Sequence, residues 1–305
     1  MISQKKIKNM LAVIIIIYKN IDLTIKYVQE ELSKIQYNHK IVLVNNKATD
    51  ESNTKLYKHL CAGIVDVDCC STKANNIYII NNPENSGFAK GNNIGARFAI
   101  DVLNCDYLLF SNNDIEFIDD NVVEALYEKL KNTPNAGIIG PKVVGLQGEF
   151  QSPEPYVSFW DRNVWMYLST LFYSKEKKRQ RFQLDYARDA KEGFHYKLMG
   201  SFFMVRSKDF KECGMMDEHT FLYAEEPILT ERMLKIGLQP YYYPQVAVLH
   251  NHGATTKKHF KNSQIERIKF ESECYYYRTY KKTPLVEIFI GRLLRYLLNI
   301  IKRNS

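Results

Sequence analysis

The chain has 305 residues, 45% of them hydrophobic and 25% charged, a composition that excludes disordered, collagen-like and low-complexity classes. Its 42 Lys/Arg against 34 Asp/Glu give a net charge of +8. Residues 257–305 alone hold 12 Lys/Arg and 4 Asp/Glu, so the first 256 residues balance at 30 against 30. A basic catalytic channel for nucleic acid is thereby excluded, and the tail is assigned a local anionic partner.

In chain order, Leu11–Ile17 is the longest apolar run, seven residues ending at Tyr18. A bilayer needs about 20, and no small-residue cleavage site follows, so the run reads as a buried parallel strand rather than a span or a secretory signal. Residues 23–35 show helical spacing. Residues 40–44, 77–80 and 107–110 read as further strands, ending at Asn45-Asn46, Asn82-Pro83 and Asn112-Asn113-Asp114. Residues 94–103 and 121–131 read as helices, and a further strand starts at Ile138. Strand–helix alternation predicts an α/β fold, a mostly parallel central sheet with helices on both faces. Ligands in such sheets bind at the carboxyl ends of the strands, where the polar clusters fall. Residues 145–197 break the periodicity and read as a variable insertion beside the site, either for acceptor recognition or as a surface excursion. Regular signals return at 198–205, in a helix over 225–236, and in two short strands, 241–243 and 246–250, around Pro244. The tail carries Leu285, Val286, Ile288, Phe289, Ile290, Leu293, Leu294, Tyr296, Leu297 and Leu298, interleaved with Arg292, Arg295, Lys302 and Arg303. That spacing predicts C-terminal amphipathic helices, either packed on the domain or lying on an anionic membrane surface. The expected division is a domain over 1–256 and a basic tail over 257–305. Six cysteines, at 61, 69, 70, 105, 213 and 274, form no Cys-x-x-Cys and read as reduced thiols.

Four constellations can carry chemistry. In Asn82–Gly95, Gly87, Gly91 and Gly95 permit close backbone approach ahead of a helix, either as an anion cradle or as a tight capped loop. Asp114, following Asn112 and Asn113 at a strand end, suits a phosphate-bridging cation or a turn cap. Asp217, Glu218, Glu225 and Glu226 place four carboxylates within ten residues, either as helix-start acids or as a general base with an acceptor-orienting partner. His250 follows a strand and is a candidate metal ligand. Together they match glycosyl transfer, in which a cation neutralises the departing diphosphate and a carboxylate removes the acceptor proton.

In this joint order the sequence resembles family-2-type glycosyltransferases of GT-A fold, particularly the bacterial rhamnosyltransferase-like branch, over roughly residues 10–255. The resemblance rests on residues 12–20, 45–50, 82–95, 112–114, 200–206, 214–226, 232–237 and 244–250. It implies that Tyr18, Asn45 and Asp50 surround the nucleotide base and ribose, and that Gly87, Phe88, Lys90, Gly91 and Asn92 line the donor pocket. Asn112 and Asp114 match the outer positions of the family's Asp-x-Asp, with Asn113 between them, so that Asp114 and His250 would hold Mg²⁺ or Mn²⁺. Glu226 matches the catalytic base, and Glu225 and Asp217 would help place the acceptor. Three positions depart from the pattern: Asn45 and Asn112 stand where the family has Asp, and Glu226, followed by Pro227, replaces Asp.

The resemblance implies an inverting, metal-dependent enzyme moving a sugar, first of all rhamnose from dTDP-rhamnose. UDP-sugars are the alternative donors, and a glycan, plausibly lipid-linked, is the acceptor in surface polysaccharide synthesis. The expected location is cytoplasmic, peripheral on the inner face of the cell membrane. A catalytically degenerate sugar-nucleotide-binding or scaffold protein is the alternative. A nucleotidyltransferase would need a glycine-rich loop after the first strand, where Tyr18-Lys19-Asn20-Ile21-Asp22 stands.

Overall fold

A computed structural model describes residues 9–60, 63–65, 76–251 and 262–304. Cys61, Cys69, Cys70 and His252 lie outside the described residues. A single ten-stranded sheet organises the rest. Its strands are β1 (Leu11–Ile17), β2 (His39–Asn46), β3 (Gly63–Val65), β4 (Ile77–Asn82), β5 (Tyr107–Ser111), β6 (Ile115–Phe117), β7 (Ala136–Gly145), β8 (Gly193–Phe194), β9 (Phe202–Arg206) and β10 (Gln239–His250). They lie in the order β3-β4-β2-β1-β5-β9-β7-β10-β6, with β8 on β10.

From β3 to β5 every pairing is parallel. Beyond β5, β9 runs antiparallel between β5 and β7, whereas β7 and β10 are parallel. The expected mostly parallel α/β sheet is present. Its antiparallel β9 has a consequence for the site: Phe202, where β9 begins, pairs with Ser111, where β5 ends.

The helices are α1 (Ile21–Glu30), α2 (Asp50–Leu60), α3 (Gly87–Arg97), α4 (Val122–Lys131), the short α5 (Met166–Leu168), α6 (Lys175–Arg181), α7 (Tyr186–Asp189) and α8 (Ser207–Glu212), then α9 (Glu225–Lys235), α10 (Asn262–Thr279) and α11 (Leu285–Asn304). Successive side chains of a strand point to opposite faces, and β1 is apolar on both. Leu11, Val13, Ile15 and Ile17 join Tyr27, Val28, Leu56, Leu126 and Leu130 on one side. Ala12 and Ile14 join Ala89, Ala96, Phe210, Leu229 and Met233 on the other. Helices therefore cover both faces, as the unbroken apolar run demands. Each fully buried Leu, Ile, Val, Phe or Met among them contributes roughly 1.5–3 kcal/mol.

Three elements differ from the sequence reading. The glycine-rich segment lies inside α3, which begins at Gly87 and continues into a wider turn over Phe98–Val102. Packing explains this: a Cβ at Gly95 would come within 2.7 Å of Ile14 and 3.0 Å of Val44, so the glycines let α3 sit directly on β1 and β2. The two short strands around Pro244 are one strand, β10, whose register against β7 shifts between Tyr243 and Ala247. A bulge absorbs the proline there.

The insertion carries α5, α6 and α7, and its β8 pairs β10. Phe159 from it joins Ala224, Ile228, Phe270, Tyr276, Tyr277 and Ile288 in a third apolar cluster, which seats α10 and α11 on the domain. Cys105, Cys213 and Cys274 are unpaired thiols, and burial raises them to about 12, 11 and 11.

Candidate active site

The ends of β1, β2, β4, β5 and β10 and the start of β9 border a cleft of about 410 Å³. Tyr18, Gly87, Phe88, Asn112, Asn113, Asp114, Glu225, Glu226 and His250 line it. Nine of the residues singled out in the sequence are thus brought together from five separate stretches of chain.

Two pairs of groups dominate the cleft. In the first, His250 Nε2 lies 3.5 Å from Asp114 Oδ1 and 3.5 Å from Asn112 Nδ2. The Gln151 amide donates through Nε2 to Glu149 Oε1 and turns its Oε1 to His250 Nδ1 at 2.7 Å. Nδ1 therefore carries the hydrogen and donates it to Gln151, so the Nε2 lone pair faces the carboxylate. Asp114 Oδ1 is buried and has no hydrogen-bond partner. Two electron-pair donors face each other, a donor set that suits a divalent cation whose remaining positions are filled by phosphate oxygens and water. Asp114 and His250 would hold Mg²⁺ or Mn²⁺ there. Among the described residues no third His, Cys, Asp or Glu joins them.

The second pair is Glu225 and Glu226, which open α9. Tyr223 and Ala224, immediately before them, both adopt left-handed backbone conformations with φ of 73° and 67°. For non-glycine residues this costs about 1–3 kcal/mol each and is found where a functional turn is over-determined by its surroundings. Pro227 falls in the first turn of α9, where a missing N–H breaks no helical bond.

Glu225 is 7% exposed, and its Oε1 has no partner. Burial, and secondarily the charge of Glu226, push its carboxyl up to about 8. A small apolar recess lined by Phe88, Ile138, Leu198 and Phe203 lies behind both acids. Glu226 accepts a 3.3 Å hydrogen bond from Gly200 N. A Cβ at Gly200 would stand 2.9 Å from that oxygen, so the glycine admits the carboxylate. At neutral pH Glu225 thus keeps its proton.

Gly87 fixes the floor of the cleft. Its φ is +80°, and a Cβ on it would stand 2.2 Å from Phe221 O. This close approach lets Phe88 N donate to Phe221 O at 2.9 Å, tying α3 to the strained loop before Glu225.

Six residues singled out in the sequence do not line the cleft. Asn45 is buried and donates to Ser52 Oγ and Asn53 Oδ1, each at 2.7 Å, at the start of α2. Its neighbour Asn46 faces the cleft instead, donating to Asn85 Oδ1 and Gly87 O. Asp50 is exposed in the first turn of α2, and Lys90 is exposed on α3. A Cβ at Gly91 would come within 3.1 Å of Ile16, so that glycine serves packing, while Asn92 is buried with its Nδ2 unpartnered. Asp217 is buried too. It accepts from Tyr280 and Tyr275 hydroxyls at 2.5 and 2.9 Å and from His219 Nδ1 at 2.6 Å, and it pairs with Arg232 at 3.3 Å. Burial alone would raise its carboxyl, but these donors hold it well below the usual range. Asp217 anchors α10 and the segment after it rather than facing the cleft. Asn113 lines the cleft yet spends its amide on Thr24 Oγ1 at 2.7 Å.

Sequence reasoning missed Asn46, Gln151, Tyr223 and a whole wall: Asn262, Ile265 and Glu266 of α10. Asn46 lay beside a residue that was singled out; strand alternation says that one of the two faces the cleft, and only the register of β2 says which. The α10 residues stand in a polar stretch without a motif.

The sequence profile described as "Glycosyl transferase family 2" matches residues 12–214. The low-salt glycan biosynthesis hexosyltransferase Agl10 of Haloferax volcanii is 27% identical over 197 residues, 61% of this chain and 58% of that protein. The N-acetylglucosaminyl-diphospho-decaprenol L-rhamnosyltransferase of Mycobacterium tuberculosis is 27% identical over 164 residues, 50% of this chain and 48% of that protein. The chain thus spans about half the length of these curated relatives.

Among solved structures, GalNAc-T7 with UDP, GalNAc and Mn²⁺ superposes with a TM-score of 0.53 at 14% identity, covering 81% of this chain and 44% of that one. The mannosyltransferase PcManGT of Pyrobaculum calidifontis, in complex with GDP-Man and Mn²⁺, gives 0.51 at 11%, covering 93% and 73%. At such identities the likeness concerns the fold, which is GT-A.

Proposed function

The chain belongs to glycosyl transferase family 2, and from that premise we propose that it is an inverting glycosyltransferase moving rhamnose from dTDP-rhamnose to a lipid-linked glycan in surface polysaccharide synthesis. The observation that carries the reading is the meeting of the Asp114–His250 pair and the Glu225–Glu226 pair in one cleft. The rhamnosyl donor and the lipid-linked acceptor are supported by the named activity of the mycobacterial relative. A divalent cation is supported by the donor set of Asp114 and His250 and by the Mn²⁺ of both structural neighbours. We place the protein at the inner face of the cell membrane, next to such an acceptor.

The Glu226 carboxylate, oriented by Gly200 N, takes the proton from the acceptor hydroxyl. The acceptor oxygen attacks the anomeric carbon of the donor sugar as the bond to the diphosphate breaks, and the nucleoside diphosphate leaves with the bonding electron pair. Glu225 keeps its own proton, because burial raises its carboxyl to about 8. Asp114 and His250 are the residues that would hold a divalent cation, and that cation would supply positive charge to neutralise the departing diphosphate. Asn46 and Asn85 border the donor side.

The test is nucleoside diphosphate release from dTDP-rhamnose and a panel of UDP-sugars, with a lipid-linked acceptor, in Mg²⁺, Mn²⁺ or EDTA. Selective, EDTA-sensitive release from dTDP-rhamnose is expected. Selective release from a UDP-sugar would replace the donor. Donor binding without any release would move the protein to the degenerate sugar-nucleotide-binding reading, which Asn112 in place of a carboxylate favours.

A further inference from the structure

Helix α11 has two unlike faces. One is packed: Ile288 is buried, and a Cβ at Gly291 would stand 2.8 Å from Phe159. Arg292 grips Glu271 through two hydrogen bonds of 2.6 and 3.0 Å, and Arg295 lies over the Phe270 ring and 3.6 Å from Glu266. The other face is a stripe of Leu285, Val286, Phe289, Leu293, Tyr296 and Leu297, each between 46% and 64% exposed. Their spacing of one, four, eight, eleven and twelve positions from Leu285 puts them on one side of the helix.

We propose that this stripe is a docking face for an anionic lipid bilayer. Charge selects the occupant. The segment 257–305 carries a net charge of +8, so a second copy of the chain meeting it face to face would bring like charge against like. An anionic surface brings the opposite sign. Tyr296 in the stripe and Trp160, exposed beside the buried Phe159, are residue types favoured at a membrane–water boundary. Among the described residues no helix is long and apolar enough to cross a membrane, so α11 lies on the surface rather than spanning it.

The face is tied to the cleft through α10. Ile265 and Glu266 line the cleft, and Glu266 and Phe270 receive Arg295 of α11. Docking of α11 therefore holds the α10 wall of the cleft beside the bilayer, where a lipid-linked acceptor is anchored. The proposal rests on the lipid-linked acceptor reading above.

The full chain is floated with phosphatidylcholine vesicles, with and without phosphatidylglycerol, beside a F289E/L293E variant. Far-UV circular dichroism and dTDP affinity check its fold and its cleft. The wild type should float with phosphatidylglycerol vesicles and lose affinity in high salt. The variant should bind those vesicles about tenfold or more weakly, since two apolar side chains leave the bilayer and two charges are added, with dTDP affinity unchanged. A wild type that does not float, or a variant that floats equally well, overturns the proposal. So does a wild-type dimer that F289E/L293E dissociates without any vesicle binding, since the occupant is then a second copy. Failure of the transferase reading shows separately, as absent dTDP binding and sugar transfer in a protein that still floats.

Discussion

His250 Nε2 and Asp114 Oδ1 face each other at 3.5 Å across the junction of β10 and the β5–β6 turn. The imidazole is held in that tautomer by Gln151, so the pair presents two lone pairs to one point. Replacing Asp114 by Asn, or His250 by Ala, should weaken Mn²⁺ binding in the presence of nucleoside diphosphate. Gln151→Ala touches neither donor directly, yet should still weaken it about 10–100-fold, the usual effect of losing a group that orients a metal-binding histidine. Electron paramagnetic resonance of free Mn²⁺ reads this out. Unchanged affinity in all three variants would remove the cation from the site.

Glu226→Gln should lower turnover by roughly 10²–10⁴-fold, the range for a lost general base, with donor affinity retained in equilibrium binding. Full activity in this variant would sink the assignment of the base.

Glu225→Gln should behave differently, because the amide resembles the protonated acid already present. Turnover near neutral pH is expected to stay within a few fold, which steady-state kinetics would check. Its clearer effect is on stability. Folded Glu225 keeps its proton up to about 8, against 4.5 ordinarily, so between these values the folded state binds more protons than the unfolded state. Stability from this group is complete below 4.5 and declines as pH rises toward 8. Urea titrations across that window should show a flatter decline for Glu225→Gln, and identical slopes would contradict the burial argument.

Asp217→Ala removes the shared acceptor of Tyr275, Tyr280, His219 and Arg232. Taking this shared carboxylate from the two tyrosine hydroxyls and the half-buried guanidinium, which keeps Gly214 O and Met215 O, should destabilise the fold by about 3 kcal/mol, measured as a lower urea midpoint. Because its folded carboxyl lies below the ordinary value of 3.8, the contribution is present above that pH and lost as pH falls through the folded value. The variant and the wild type should therefore converge in stability at the acid end.

Gly87→Ala places a methyl group where Phe221 O stands and forces an L-residue to φ +80°. About 1–3 kcal/mol of strain is expected. Since the loop that must yield carries Tyr223 and Ala224 into Glu225, a loss of turnover should accompany the lower melting temperature. A variant with wild-type values for both would show that the loop is not held from this side.

The first half of the fold was legible because its physics is local. A run such as Leu11–Ile17 has only one comfortable home, and a strand ending in Asn112-Asn113-Asp114 marks its own carboxyl edge. Asn45 against Asn46 was not legible at that level: which of two adjacent asparagines faces the cleft depends on the register of β2 against β1 and β4. The glycines of α3 misled for a related reason. Their chain-local signature is a loop, and only the closeness of Ile14, Ile16 and Val44 makes them helix-interior residues. Asp217 carried the right charge for a site but sits among tyrosines nearly 60 residues onward, a contact that no spacing announces.

The position of β9 bears on how the protein is made. In the finished chain it seals β5 at the middle of the sheet, with Phe110 opposite Phe203. During synthesis β5 emerges long before β9, so Tyr107–Ser111 stands as an unpaired apolar edge while residues 112 to 201 are still being added. Such an edge is a template for pairing with another chain. The growing polypeptide is most in need of a chaperone during that interval, and a fragment cut short of Phe202 would be an aggregation-prone product rather than a smaller working unit.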